Sequence, residues 1–193
     1  MSRVRHRVSR AANQISNGRL HRHATRKKPA IVARTVWCPR WPQALDGFTI
    51  LHISDFHLGE LLTPDQALGM VADAQEQAGP VDLLAMTGDL IDFDDFSGAR
   101  TLLARLAAYP ARYGAWAVTG NHDVLVDPDA FSRLYDGVGI HLLDNQSHAV
   151  CPAGRPEITV SGIEWGKSRR PALAFGSARV RDTVQCHVTR QTC

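Results

Sequence analysis

The chain has 193 residues, 44% of them hydrophobic and 21% charged, which fits one soluble globular domain of ordinary size and is short for two. No run approaches the roughly 20 apolar residues needed to span a bilayer, and the first 30 residues lack the apolar centre of a secretory signal. The net charge of +3 conceals three zones: residues 1–40 hold 11 of the 22 Lys and Arg and no acid, residues 41–165 hold 5 against 18 acids, and the remainder holds 6 against one.

Residues 1–35 are basic, aperiodic and poor in large apolar side chains, so they read as a disordered tail unable to offset its ordering entropy. A solvated tail is the simplest reading. With neither an apolar span nor a signal segment, the expected location is cytoplasmic. A basic arm of this kind can also bind nucleic acid or an anionic membrane electrostatically, which would place the chain at a membrane's periphery. "WCPRWPQALDG" then reads as an extended strap, and Trp37 and Trp41 are expected to pack it onto the body.

From Gly47 the pattern is regular. "FTILHIS" reads as a strand; Thr63, Pro64 and Gln66 form a capping box with proline at the first helical position, followed by Ala67, Met70, Val71 and Ala74 at helical spacing up to Gly79 and Pro80. "VDLLAMTGD" is a second strand. Ala99, Leu102, Leu103 and Leu106 repeat the helical spacing behind Ser97 and stop before Pro110. "GAWAVTGNHD" is a third strand, and Asp127 and Pro128 begin a short helix through Phe131, Leu134 and Tyr135 that ends at Gly137. "IHLLDN" and "EITVSGI" read as two more strands. Strand, helix and strand in alternation give an α/β fold with a mostly parallel sheet. Residues 36–165 form the domain, and residues 166–193 read as a basic, irregular C-terminal segment. Cys38, Cys151, Cys186 and Cys193 show no metal-binding or redox spacing and are expected to be free thiols, with no support for a Cys186–Cys193 bridge.

Polar residues gather just past the carboxyl ends of the first three strands: Asp55 and His57, then Asp89, then Asn121, His122 and Asp123. Those strand ends share one edge of an open α/β sheet, where ligands bind. Gly88 and Gly120 precede the polar residues and permit a sharp exit and close backbone approach. Carboxylate, amide oxygen and imidazole together suit Mn, Fe or Zn better than Mg, and one carboxylate can bridge two such ions, although four ligands are too few for two. Taken singly, each residue has a plainer reading. Asp55 and Asp89 would be caps or turn formers, His57 a loop histidine, Asn121 a left-handed turn residue and His52 a packing residue, with Asp92, Asp94 and Asp95 a solvated turn adding negative potential. Their joint placement favours a site.

"DFH", "GD" and "GNHD", each closing a strand and in this order, resemble the first three signature blocks of the calcineurin-like metallophosphoesterases, and "ALDGFTILHISDFHLGE" is similar to the YkuE-type branch. The resemblance covers roughly residues 40–165. It implies a two-sheet αββα sandwich and a dinuclear centre of two divalent ions (Mn, Fe or Zn) hydrolysing phosphomonoesters or phosphodiesters, lipid-linked ones among them. Asp55 and His57 would bind the first metal, Asp89 would bridge, and Asn121 would bind the second. His122 would meet the phosphate and protonate the leaving oxygen, with Asp123 orienting its ring. The family's later histidine and G-H-x-H block have no counterpart here. His187 is the last histidine and is not expected to be a ligand; His141 and His148 match no motif. The resemblance therefore implies a truncated or frame-altered member with a weakly held second metal, impaired activity and an uncovered sheet inviting self-association; the alternative is an inactive remnant that binds metal or a partner. "GIEWGKS" is one residue short of a phosphate-binding loop and is rejected.

Overall fold

The structure, a computed structural model, describes residues 30–59, 62–92, 96, 98–123, 128–143, 145–163 and 184–188. The expectations placed on most of the basic tail, on Ser97 as a helix cap, on Asp94, Asp95 and Asp127, and on most of the C-terminal segment lie outside the described residues.

Four parallel strands form the first sheet in the order β1 (Ile50–Ile53), β2 (Leu83–Met86), β3 (Ala115–Ala117) and β4 (His141–Leu142). Three helices connect them: α1 (Pro64–Ala78), α2 (Ala99–Ala107) and α3 (Pro128–Asp136). α1 starts where the sequence says it should. Thr63 Oγ1 accepts from the Gln66 N–H, while the Gln66 side chain accepts from the Thr63 N–H. α2 starts differently, on Gly98 in a left-handed conformation with no side-chain cap.

Every residue of β2 and β3 is buried, which is the mark of strands covered on both faces. Alternation sorts them. Leu84, Met86, Ala115 and Ala117 face the helices and pack with Val71, Leu102, Leu103, Leu106, Phe131 and Tyr135. Leu83, Ala85, Trp116 and Val118 face the other way and pack with Val150, Ile158 and Val160 of a second sheet. That sheet has the order β5 (Ser147–Val150), β6 (Ile158–Gly162) and β7 (Val184–Val188), with β5 antiparallel and β7 parallel to β6. The layers are therefore helices, parallel sheet and mixed sheet.

Two strands were not legible in the sequence. β5 reads as polar because only Val150 of its four residues is buried. β7 falls in the segment expected to be irregular, and its pairing comes entirely from β6, with His187 in register with Ser161. β1, at the sheet edge, buries less: Leu51 and Ile53 turn toward the helices, whereas His52 is exposed and Ile50 is 42% exposed. The strap is also corrected. Trp41 packs edge-on against Phe48 and donates to the Leu45 carbonyl (2.9 Å), but Trp37 is 90% exposed. Cys38 and Cys151 are exposed free thiols.

Leu103 is fully buried between α2 and the sheet, so Leu103→Ala is expected to cost about 2–5 kcal/mol, against about 1 kcal/mol for loss of the Thr63 cap in Thr63→Ala. Urea unfolding of the two variants measures both, and the order of the two costs is the check.

Candidate metal centre

The strand ends stay zipped together beyond the sheet. Asp55 N–H donates to the Gly88 carbonyl (3.1 Å), His57 N–H to the Asp89 carbonyl (3.0 Å) and Leu58 N–H to the Leu90 carbonyl (3.0 Å), so the turns after β1 and β2 run side by side. The turn after β3 is pressed against the second of these. A Cβ on Gly88 would overlap the backbone of Gly120, and a Cβ on Gly120 would overlap Asp89 Oδ1. Both glycines are thus required by contact.

Side-chain direction comes from an unusual backbone. Asp55 (φ 59°), His57 (φ 47°) and Asp89 (φ 53°) are left-handed without being glycine, and among the described residues only Asn145 shares this. Such positions cost free energy of order 1 kcal/mol each and cluster at functional sites. Here they turn three side chains toward one point. His57 Nε2 lies 3.5 Å from Asp55 Oδ1 and 3.6 Å from Asp89 Oδ2. His57, Asp89 and His122 each present a ligand atom within 4.8 Å of the others, and the His57 and His122 rings meet edge to face at 4.7 Å. Asn121 is half-buried in the turn directly after Gly120.

Asp92 is the residue that sequence reasoning missed. Placed in a solvated turn by its acidic neighbours, it is only 4% exposed, and its Oδ1 meets both His57 Nδ1 (2.7 Å) and His122 Nδ1 (2.8 Å). The signal was its immediate predecessors, Leu90 and Ile91, which are fully buried. A chain emerging from such a pair has not yet reached solvent. Because a carboxylate only accepts, both Nδ1 atoms carry the proton, and each Nε2 is left as the ring's ligand or acid–base atom.

Asp123 is correspondingly reassigned. The contact expected between it and the His122 ring is made by Asp92, while the Asp123 carboxylate accepts from the backbone N–H groups of Asp89 (2.7 Å), Gly120 (2.8 Å) and Leu90 (3.0 Å). It ties the second and third turns together. Burial pushes its pKa up to about 6; the nearby Asp89 charge adds to the rise and the three N–H donors oppose it. His52 is also reassigned, from packing to an exposed ring whose Nε2 bonds Thr87 Oγ1 (2.7 Å).

The donor set suits a divalent transition ion: imidazole nitrogen and carboxylate oxygen gathered at one point, with a second carboxylate fixing both rings. His57 carries the electrostatic signature. Burial alone would lower its pKa, but the hydrogen bond to Asp92 and the charges of Asp92, Asp89 and Asp55 outweigh burial and hold it above its ordinary 6.5. An acidic pocket that favours a proton on His57 is also one that favours a cation.

Comparison with known proteins agrees with the geometry. The family model for calcineurin-like phosphoesterases matches residues 48–177. The chain is 32% identical over 123 residues to Bacillus subtilis (strain 168) YkoQ, named as an uncharacterized metallophosphoesterase, covering 60% of this chain and 42% of that protein. It is 31% identical over 136 residues to a Danio rerio protein named as a transmembrane protein with a metallophosphoesterase domain, covering 70% of this chain and 30% of the relative. Bacillus subtilis YkuE, another uncharacterized metallophosphoesterase, is 31% identical over 83 residues, 42% of this chain and 28% of YkuE. The chain thus spans less than half the length of each of these relatives.

Asp92 supplies the hydrogen bond and the largest charge effect that raise the His57 pKa. In metal-free protein, Asp92→Asn is therefore expected to move the His57 titration, followed by NMR of the ring, to lower pH. A raised imidazole pKa stabilises the fold fully below pH 6.5, and that contribution fades as pH rises through the folded-state value. The variant should show a weaker loss over that interval.

Proposed function

The chain belongs to the calcineurin-like phosphoesterases, and from that premise we propose that it hydrolyses phosphomonoesters or phosphodiesters with two divalent ions, Mn, Fe or Zn, above the carboxyl ends of β1, β2 and β3. The observation that carries this reading is the convergence of His57, Asp89 and His122, with Asp55 beside His57. When bound, the ions supply a nucleophile at neutral pH and screen the phosphate charge. Asp55 and His57 would hold the first, Asp89 would serve both, and Asn121 would serve the second.

His122 acts at the leaving oxygen. Its Nδ1–H is held by Asp92, which fixes the ring and leaves Nε2 to deliver a proton. A positioned acid of this kind contributes about 10²- to 10⁴-fold. Asp123, held by three backbone donors, keeps the turns in place and transfers no proton. Turnover of bis-p-nitrophenyl phosphate should therefore require Mn, vanish with EDTA and be lost in Asp89→Asn, while His122→Gln should lower kcat by roughly 10²–10⁴. Tight metal binding with no turnover in the loaded wild type would overturn hydrolysis in favour of the alternative, a non-catalytic metal-binding domain.

The exposed strap bears on the substrate. Ile31, Val32, Val36 and Trp37 all present apolar surface, Val36 at 85% exposure, among the exposed Arg34 and Arg40 and behind nine further Lys and Arg in residues 1–29. Tryptophan and valine beside basic residues suit the interface of an anionic bilayer, where each nearby Lys or Arg adds about 1 kcal/mol. The Danio rerio relative is named as a transmembrane protein; here the reading is peripheral docking that brings the site to a lipid-linked phosphoester. Co-sedimentation with phosphatidylglycerol vesicles should fall with added salt and drop at least several-fold in Trp37→Ala. Retention on nucleic acid instead of vesicles, or dimerisation lost in Trp37→Ala, would assign the strap to a different partner.

A further inference from the structure

The two acids facing His57 are held in the same way by different means. Asp89 divides its oxygens: Oδ1 accepts from the His122 backbone N–H (3.1 Å), and Oδ2 lies toward His57 Nε2 (3.6 Å). Asp55 divides its oxygens alike. Its Oδ2 accepts from the Ser54 hydroxyl (2.5 Å), and its Oδ1 lies toward the same His57 Nε2 (3.5 Å). The need differs, since Asp89 is fully buried whereas the Asp55 side chain is 45% exposed. Packing and a backbone donor restrain Asp89. An exposed carboxylate has more orientations open to it than a buried one, and the Ser54 hydroxyl narrows them by occupying Oδ2.

Ser54 is itself anchored. It closes β1, its Oγ lies 3.5 Å from the Thr87 carbonyl, and Thr87 binds His52 through Oγ1 (2.7 Å) and the Ile53 carbonyl through its N–H (3.1 Å). Its single proton goes to Asp55, the shorter of its two contacts.

We propose that Ser54 is a positioning residue for the metal centre: by tying Asp55 Oδ2 it makes Asp55 present one oxygen, Oδ1, to the cation. This rests on the metal-dependent reading above and deepens it. One-oxygen ligation matters for ion choice, because Ca²⁺ readily takes bidentate carboxylates and high coordination numbers whereas smaller ions with imidazole ligands take fewer. The serine thereby favours Mn²⁺ over Ca²⁺ without touching either.

The test is titration of the metal-free full chain with Mn²⁺, followed by the loss of the free-ion EPR signal, and with Ca²⁺ by calorimetry, for wild type, Ser54→Ala and Ser54→Thr. Loss of such an outer partner typically costs 10- to 100-fold in affinity. Ser54→Ala should weaken Mn²⁺ by that factor and Ca²⁺ by clearly less, Ser54→Thr should restore the wild-type ratio, and the unfolding midpoint in EDTA should be the same for all three. Mn²⁺ affinity within twofold of wild type in Ser54→Ala, equal losses for the two ions, or no recovery in Ser54→Thr would each overturn the role of Ser54. A wild type that binds no Mn²⁺ would overturn the metal-dependent reading itself, and this inference with it.

Discussion

The contact between the turns that leave β2 and β3 governs the whole rim of the sheet. Gly88 and Gly120 meet there with no room for a Cβ, and the second of them lies directly against the Asp89 carboxylate. Asp123 completes the join by accepting from N–H groups on both turns. With those two turns locked, the ladder from Asp55 to Leu58 locks the first turn onto the second. Any side chain at residue 120 would displace the acid at the centre of the cluster. The site is therefore a property of backbone packing before it is a property of its acids.

Four aspartates within one rim would repel if they shared one environment. They do not. Asp123 is buried and surrounded by N–H donors, Asp92 is buried against two imidazoles, Asp89 is buried between a backbone donor and His57, and Asp55 reaches toward solvent with a hydroxyl on one oxygen. Their distribution follows function. Asp123 and Asp92 hold the scaffold and the rings; Asp89 and Asp55, which face His57 Nε2, are the ones able to meet a cation.

The sequence was most informative where local chemistry and fold agree. The capping box of α1, the helical spacing of α2, the three apolar strands and the polar residues at their ends were all legible, because each depends on neighbours within a few positions. Asp92 was hidden because its acidic surroundings look like solvent-exposed chain, whereas its burial is imposed by two imidazoles 30 and more residues away in sequence. The role expected of Asp123 failed for a related reason. Adjacency to His122 suggested a contact, but the Asp123 carboxylate is taken up by three backbone N–H groups on the two turns. β5 escaped because three of its four residues are exposed; β7 does alternate apolar and polar residues over Val184–Val188, but it lies in a basic segment expected to be irregular.

The same rim that makes the site also weakens the fold locally. Three left-handed residues and several desolvated acids cost free energy, and nothing in the helical core repays them at the place where they occur. Fully covered strands β2 and β3 supply the stability from behind, and the strain is confined to turns whose ends those strands hold fixed. A cation that recognises the gathered donors recognises only the folded chain, so its binding free energy adds directly to stability. In this architecture the strain at Asp55, His57 and Asp89 is what keeps the donors converged before any ion arrives, and the ordering cost of assembling them falls on folding and not on binding.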